Sequence, residues 1–185
     1  MMKDILKTME DKMRKAVEVT RNELIKIRTG KATTALLDGI KVEYYEQIVP
    51  LNQTANVAIP DIHTITVTPW DKTMIQPIEK AILSANLGLN PIPMGTFLRI
   101  PIPPLNEERR KELVKLAKKF GEDGKIAIRN VRRDAIEHIK KAEKSEHISE
   151  DDRKKAEEQA QKTTDKMIKE VDTIVEKKEK EIMEV

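Results

Sequence analysis

The sequence predicts an α+β protein: a long three-helix bundle with a small β/α/β domain inserted after its first helix. Two observations carry that prediction. All nine prolines, at positions 50, 60, 69, 77, 91, 93, 101, 103 and 104, fall inside residues 30–104. The same segment holds only 11 Asp, Glu, Lys and Arg in 75 positions, whereas the other 110 positions hold 56. Proline and glycine punctuate short strands and turns, and the absence of proline from the flanks leaves long helices unbroken. The expected division is a bundle of residues 1–29 and 105–185, with 30–104 as the insert.

The first helix is expected from about Lys3 to Arg28, because Ile5, Met9, Met13, Ala16, Thr20, Leu24 and Ile27 recur every three or four residues. The insert then opens with GIKVEYYE, where Ile40, Val42 and Tyr44 alternate with charged neighbours, and HTITVTPW and TFLRIPIP are equally short and β-rich. Between them DKTMIQPIEKAILSANLG reads as one helix, opened near Asp71, perturbed by Pro77 and closed by Gly88.

A second long helix starts after Pro103 and Pro104, with Asn106 as cap and Glu107 and Glu108 at the positive end of its dipole. Its expected seam is Leu113, Leu116, Phe120, Ala127, Val131, Ala135, His138 and Ala142, interrupted by Gly121 and Gly124. Those glycines weaken an isolated helix by about 1 kcal/mol each relative to alanine, so a neighbour approaches closely there or the helix bends. After a turn at residues 144–148, Ser149 and Asp152 make a capping-box-like start. The third helix carries Ala156, Ala160, Thr163, Met167, Val171, Ile174 and Ile182 on its seam. None of the three stripes can be buried alone, so a bundle roughly 40 to 55 Å long is the economical arrangement.

Composition limits the chemistry. Without cysteine there is no disulfide, thiolate metal site or cysteine nucleophile. The first dozen residues include acids and no apolar block, and no run approaches a membrane span, which leads us to expect an unprocessed cytoplasmic protein without a membrane partner. The six glycines form no phosphate-binding loop, and there is no HExxH. His63 falls in a loop, His138 on the second helix's seam as a packing residue, and His147 in a turn. No enzyme, cofactor or metal site is expected.

Charge is distributed unevenly. Residues 105–144 carry 13 basic and 8 acidic side chains, while residues 145–185 carry 9 and 13. At about 100° per residue, Lys118, Lys125, Arg129 and Arg132 form a basic stripe beside the expected seam, with Arg132 nearest to it, about 90° from its centre. Arg133, on the other side, is placed to pair with Glu137. Helix-to-helix pairing and an external polyanion are two readings of this asymmetry. None of the five aromatics lies in the stripe, so it offers no stacking platform for single strands. Guanidinium forks on a rigid rod suit the phosphates of structured nucleic acid. A helical adaptor that binds another protein is the alternative.

The segments KIRTGKATTALLDGIKVEYY, IEKAILSANLGLNP, LRIPIPPLNEERRKEL, AIRNVRRDA and ISEDD, in this order and with these gaps, resemble the bacterial ribosome recycling factor family over essentially the whole chain. The resemblance implies an L-shaped monomer with an outline like transfer RNA, its rod against large-subunit ribosomal RNA. It also implies that, with elongation factor G and GTP, the protein splits spent ribosomes and frees messenger and deacylated transfer RNA. By motif, the family's critical arginine falls on Arg132, with Arg129 and Arg110 as further RNA contacts; Arg133, Lys125, Lys118, Arg28 and Lys31 are the other expected RNA-binding residues. The implied hinge comprises Thr29, Gly30 and Lys31 with Pro103, Pro104 and Leu105, and the insert would face the elongation factor. Lys31 stands where the family's RTGRA form has arginine, which keeps the charge but loses the planar fork. Asn106 replaces a threonine and caps equally well.

Overall fold

A computed structural model describes residues 2–184 of the chain. The chain divides into two compact units, Met1–Thr29 with Asn106–Val185, and Gly30–Leu105. Leu105 thus goes with the insert.

The first unit is three helices, α1 (Met2–Ile25), the 40-residue α3 (Glu107–Glu146) and the 34-residue α4 (Glu150–Met183), each packed on both others. At 1.5 Å per residue α3 is about 60 Å long. It starts where expected: Asn106 Oδ1 accepts from the Arg109 N–H at 2.7 Å, and Glu107 and Glu108 occupy the first turn. It stops at His147, whose left-handed backbone (φ 52°) reverses the chain. Ser149 then opens α4, its Oγ accepting from the Asp152 N–H at 3.1 Å and donating to Asp152 Oδ2 at 2.8 Å. The first helix ends at Ile25, three residues earlier than expected, and Ile27 stays buried on the turn that follows.

The seams are rotated from those read in the sequence. On α3 the buried positions are Leu113, Ala117, Gly121, Gly124, Ile128, Ala135, Ile139 and Ala142. Leu116 and His138 are exposed, and Phe120, Ala127 and Val131 half-buried. The buried line is turned from the expected one towards the basic stripe, and His138 is therefore not a packing residue. The glycines explain the rotation. A Cβ on Gly121 would stand 2.6 Å from Val175 Cγ2, and one on Gly124 would clash with the Thr20 hydroxyl. Close approach of α4 at Gly121 and of α1 at Gly124 admits only the smallest residues there, while Leu113, Ile128 and Ile139 fill the rest of the buried line. On α4, Thr164 and Val175 are buried instead of Thr163 and Ile174, and on α1 Val17 instead of Ala16. The buried hydroxyls of Thr20 and Thr164 donate to the carbonyls four residues back, Ala16 at 3.0 Å and Ala160 at 2.7 Å, so neither is left unsatisfied.

The second unit holds a hairpin, β1 (Lys41–Tyr44) with β2 (Gln47–Pro50), and an antiparallel four-stranded sheet in the order β3-β4-β6-β5. That sheet comprises β3 (Ala55–Asp61), β4 (Thr64–Pro69), β5 (Ile92–Pro93) and β6 (Leu98–Pro101). The expected insert helix is a 3-10 turn at Lys72–Met74 followed by α2 (Ile75–Ser84). Asp71 Oδ1 caps the turn by accepting from the Thr73 N–H at 3.0 Å. Val42, Ile65, Val67, Ile78, Ile82, Leu98 and Ile100 form the centre of its core.

Strands β2, β3 and β5 were not expected, for physical reasons. The β1–β2 turn puts Tyr45 and Glu46 at φ 46° and 61°, a geometry normally signalled by Asn-Gly. Pro60 lies inside β3, which is tolerated because β3 is an edge strand and its pairing shifts register between Ala58 and Asp61. β5 has only two residues.

Candidate nucleic-acid interface

The basic face of α3 is assembled by helix periodicity, and its side chains separate by what holds them. Lys125 reaches across to α4, where Nζ meets Asp172 Oδ1 at 2.5 Å, and only 22% of its side chain is exposed. Arg129 Nη1 donates to Glu122 Oε1 at 3.1 Å. Arg132, half-buried, donates from Nη1 to Gln161 Oε1 of α4 at 2.6 Å. Arg133 Nη2 donates to Asn130 Oδ1 at 2.8 Å rather than pairing with Glu137, which is engaged by Lys141 at 2.7 Å. That hydrogen bond and the lysine's charge hold Glu137 below the ordinary carboxylate range. Lys118 is exposed and makes no ion pair among the described residues.

Because the seam is rotated, this stripe is closer to the core than expected. Arg132 lies about 60° from the centre of the buried line, which explains why its stem is packed while its guanidinium is not. A groove between α3 and α4 is lined by Arg132, Arg133, Ile136, Lys140, Glu157 and Gln161. Its one carboxylate, Glu157, is turned to Arg153 Nη1 at 2.9 Å. The groove is thus an anion-receptive surface with three cations in it.

Helix-to-helix pairing does not account for the charge asymmetry. Two ion pairs join α3 to α4 among the described residues, Lys125 with Asp172 and Glu143 with Arg153, and the second runs against the asymmetry. Four acids of α4, Glu150, Glu157, Glu158 and Glu181, pair within their own helix, as Glu150 does with Lys154 at 2.8 Å and Glu158 with Lys162 at 3.2 Å. The basic face is left with charge to spare.

The remaining expected residues are not all brought to this face. Arg110 is half-buried in the first turn of α3, about 30 Å along the helix axis from Arg132 at 1.5 Å per residue. Its Nε is buried without a hydrogen-bond partner. Arg28 is exposed beyond the end of α1, and Lys31 is half-buried in the second unit. What the sequence did not reveal is Gln161, with Asp165 behind it: Gln161 Nε2 donates to Asp165 Oδ1 at 2.8 Å. No local signal marks a glutamine on α4 as the partner of an arginine on α3.

The connectors are also defined. Gly30 is buried at φ 74°, and a Cβ there would stand 3.0 Å from Leu105 Cγ and 3.1 Å from Leu105 N, so the two strands of chain lie side by side. The β3–β4 turn fastens both: Ile62 O accepts from the Ala32 N–H at 2.7 Å and His63 O from the Ile102 N–H at 2.7 Å. The His63 ring adds a bond from Nδ1–H to Gly30 O at 3.1 Å. Thr29 and Leu105 are half-buried, and Pro103 and Pro104 exposed.

Among the described residues no group of three or more His, Asp or Glu could hold a metal, and no helix is long and apolar enough to cross a membrane. A three-helix bundle interrupted by a small β/α/β unit, with a cationic face on its second long helix, is the architecture of a binding factor. Comparison with known proteins makes it specific. The family model described as ribosome recycling factor matches residues 20–183. The ribosome-recycling factor of Chlorobium luteolum is 54% identical over 183 residues, 99% of this chain and 98% of that one. That of Ralstonia pickettii is 52% identical over 182 residues, 98% of each chain. A solution structure of the ribosome recycling factor superposes with a TM-score of 0.80 at 47% identity, covering 100% of this chain and 98% of that one. A second solved neighbour describes the Thermus thermophilus factor with the Escherichia coli elongation factor G bound to the post-termination complex. It has a TM-score of 0.65 at 47% identity, over 100% of both chains. The chain belongs to the ribosome recycling factor family, whose members are translation factors and not enzymes.

Proposed function

We propose that this protein, acting in the cytoplasm with elongation factor G and GTP, separates post-termination ribosomes into subunits and so releases messenger and deacylated transfer RNA. The bundle binds large-subunit ribosomal RNA through the phosphates that reach the α3 face, with Arg132 as principal contact. Arg133, Lys118, Arg129 and Arg110 add to it, and Lys125, Arg28 and Lys31 lie at its margins. Thr29, Gly30, Lys31, Pro103, Pro104 and Leu105 form the hinge, and the small unit meets the elongation factor.

Family membership over nearly the whole chain is the observation that carries this reading. The solved neighbour that pairs the factor with elongation factor G on the post-termination complex supports the partners. The physical support is the surplus of cations on α3 and the presentation of Arg132 at the mouth of a groove. A guanidinium there has N–H donors free for two-point contact with phosphate, which a lysine cannot offer. The backbone of a folded RNA presents such phosphates without any need for aromatic stacking.

The test is subunit splitting of post-termination ribosomes with this protein, elongation factor G and GTP, each omitted in turn. Splitting is expected only when all three are present. Splitting that continues undiminished without this protein would overturn the reading.

A further inference from the structure

We infer that Gln161 is a positioning residue for the proposed RNA contact: it orients the Arg132 guanidinium without neutralising it, and Asp165 fixes the amide that does so. The inference rests on the reading of Arg132 given above and adds to it a residue on another helix.

The partners of the basic face divide by charge. Lys125 and Arg129 meet carboxylates, Asp172 and Glu122. Arg132 meets an amide. A phosphate approaching the first two must compete with an acid already in place, whereas a phosphate approaching Arg132 displaces no bonded carboxylate. A guanidinium carries five N–H donors, and the bond to Gln161 uses one of them. The cost of immobilising a long side chain on binding is thereby partly met in the free protein.

Asp165 gives this arrangement its direction. An amide can face an arginine with either end, and only its oxygen accepts. An arginine only donates and an ionised carboxylate only accepts. The chain Arg132 to Gln161 to Asp165, at 2.6 and 2.8 Å, is satisfied in one orientation, with Nε2 towards Asp165 and Oε1 towards Arg132. The carboxylate is held one side chain away from the guanidinium. A carboxylate in place of the amide would cancel the charge of the arginine and, having no N–H, would lose its bond to Asp165.

The experiment measures binding to purified large ribosomal subunits across a salt series for the parent, Arg132→Ala, Gln161→Leu, Gln161→Glu and the double variant Arg132→Ala with Gln161→Leu. Loss of preorganisation of one long side chain predicts about a three- to tenfold weaker affinity for Gln161→Leu. The salt slope of that variant stays at the parent value, because Arg132 still reaches its phosphate. Gln161→Glu binds more weakly than Gln161→Leu. In the Arg132→Ala background, Gln161→Leu has no further effect. Parental affinity for Gln161→Leu beside a weakened Arg132→Ala would overturn the inference and leave the reading of Arg132 intact, whereas parental affinity for Arg132→Ala would overturn both. An equal loss from Gln161→Leu in both backgrounds would assign it a general structural role and also overturn the inference. Should Gln161→Leu fold poorly, Asp165→Ala, which releases the amide, must weaken binding in the same direction and only when Arg132 is present.

Discussion

Replacing Gly124 with alanine tests the close helix contact on which the bundle depends. In an isolated helix the change would stabilise by about 1 kcal/mol, because glycine is a poor helix former. Here the added methyl would clash with the Thr20 hydroxyl, which is part of a side chain only 3% exposed and donates to Ala16 O at 3.0 Å. Overpacking of a filled core costs about 1 to 3 kcal/mol. Swinging the hydroxyl away adds about 1 kcal/mol for the lost bond. The net expectation is a bundle destabilised by about 1 to 3 kcal/mol. Because the two units need not unfold together, the measurement is native-state hydrogen exchange of core amides in α1 and α3, rather than a single melting temperature. Thr20→Ala removes the obstructing hydroxyl and methyl, so the double variant should be more stable than the two single losses added together predict, by about 1 kcal/mol or more. A Gly124→Ala protein as stable as its parent, or a cycle with no coupling, would refute the argument that contact with Thr20 requires glycine.

Lys125→Ala should weaken the bundle by about 0.3 to 1 kcal/mol, the usual worth of a partly exposed ion pair, and change large-subunit affinity less than twofold. Salt-series binding beside denaturation checks this, and a salt slope flattened as much as by Arg132→Ala would contradict it. Gly30→Ala places a side chain at φ 74° and against Leu105, at a cost of about 1 to 2 kcal/mol from the left-handed backbone alone. It should speed exchange of the Ala32 amide, which is bonded to Ile62 O. The cap at Asp71 makes the small unit sensitive to acid: the Thr73 N–H and then its hydroxyl hold the Asp71 carboxyl below its ordinary value. Stability from this group is fully present above that ordinary value and is lost as pH falls through the lowered one. Acid titration of the small unit's stability should therefore be shallower in Asp71→Ala than in the parent, and an unchanged titration would remove Asp71 from the account.

Much of this architecture is written locally. Helix starts at Asn106 and Ser149 depend on side chains three residues from the amides they cap. The limits of the insert follow from where proline and charge change, because a proline-rich segment cannot continue a long helix. Strands with alternating Ile and Val were legible, whereas β3, with Pro60 inside it, was not, since only its edge position permits a proline there.

The sequence by itself determined the fold class, the capped starts of α3 and α4, the insert and the excess of cations on α3. Tertiary structure decided the rotation of each helix and the partner of each cation. A hydrophobic pattern gives weight to large residues such as Leu116 and Phe120, but where helices approach closely Gly121, Gly124 and Ala117 occupy the contact and the large residues flank it. The resulting turn carries Arg132 to the edge of the core, beside a glutamine 29 positions later in the chain. Which basic residue meets an acid and which meets an amide depends on the register between two helices, and no single helix encodes that register.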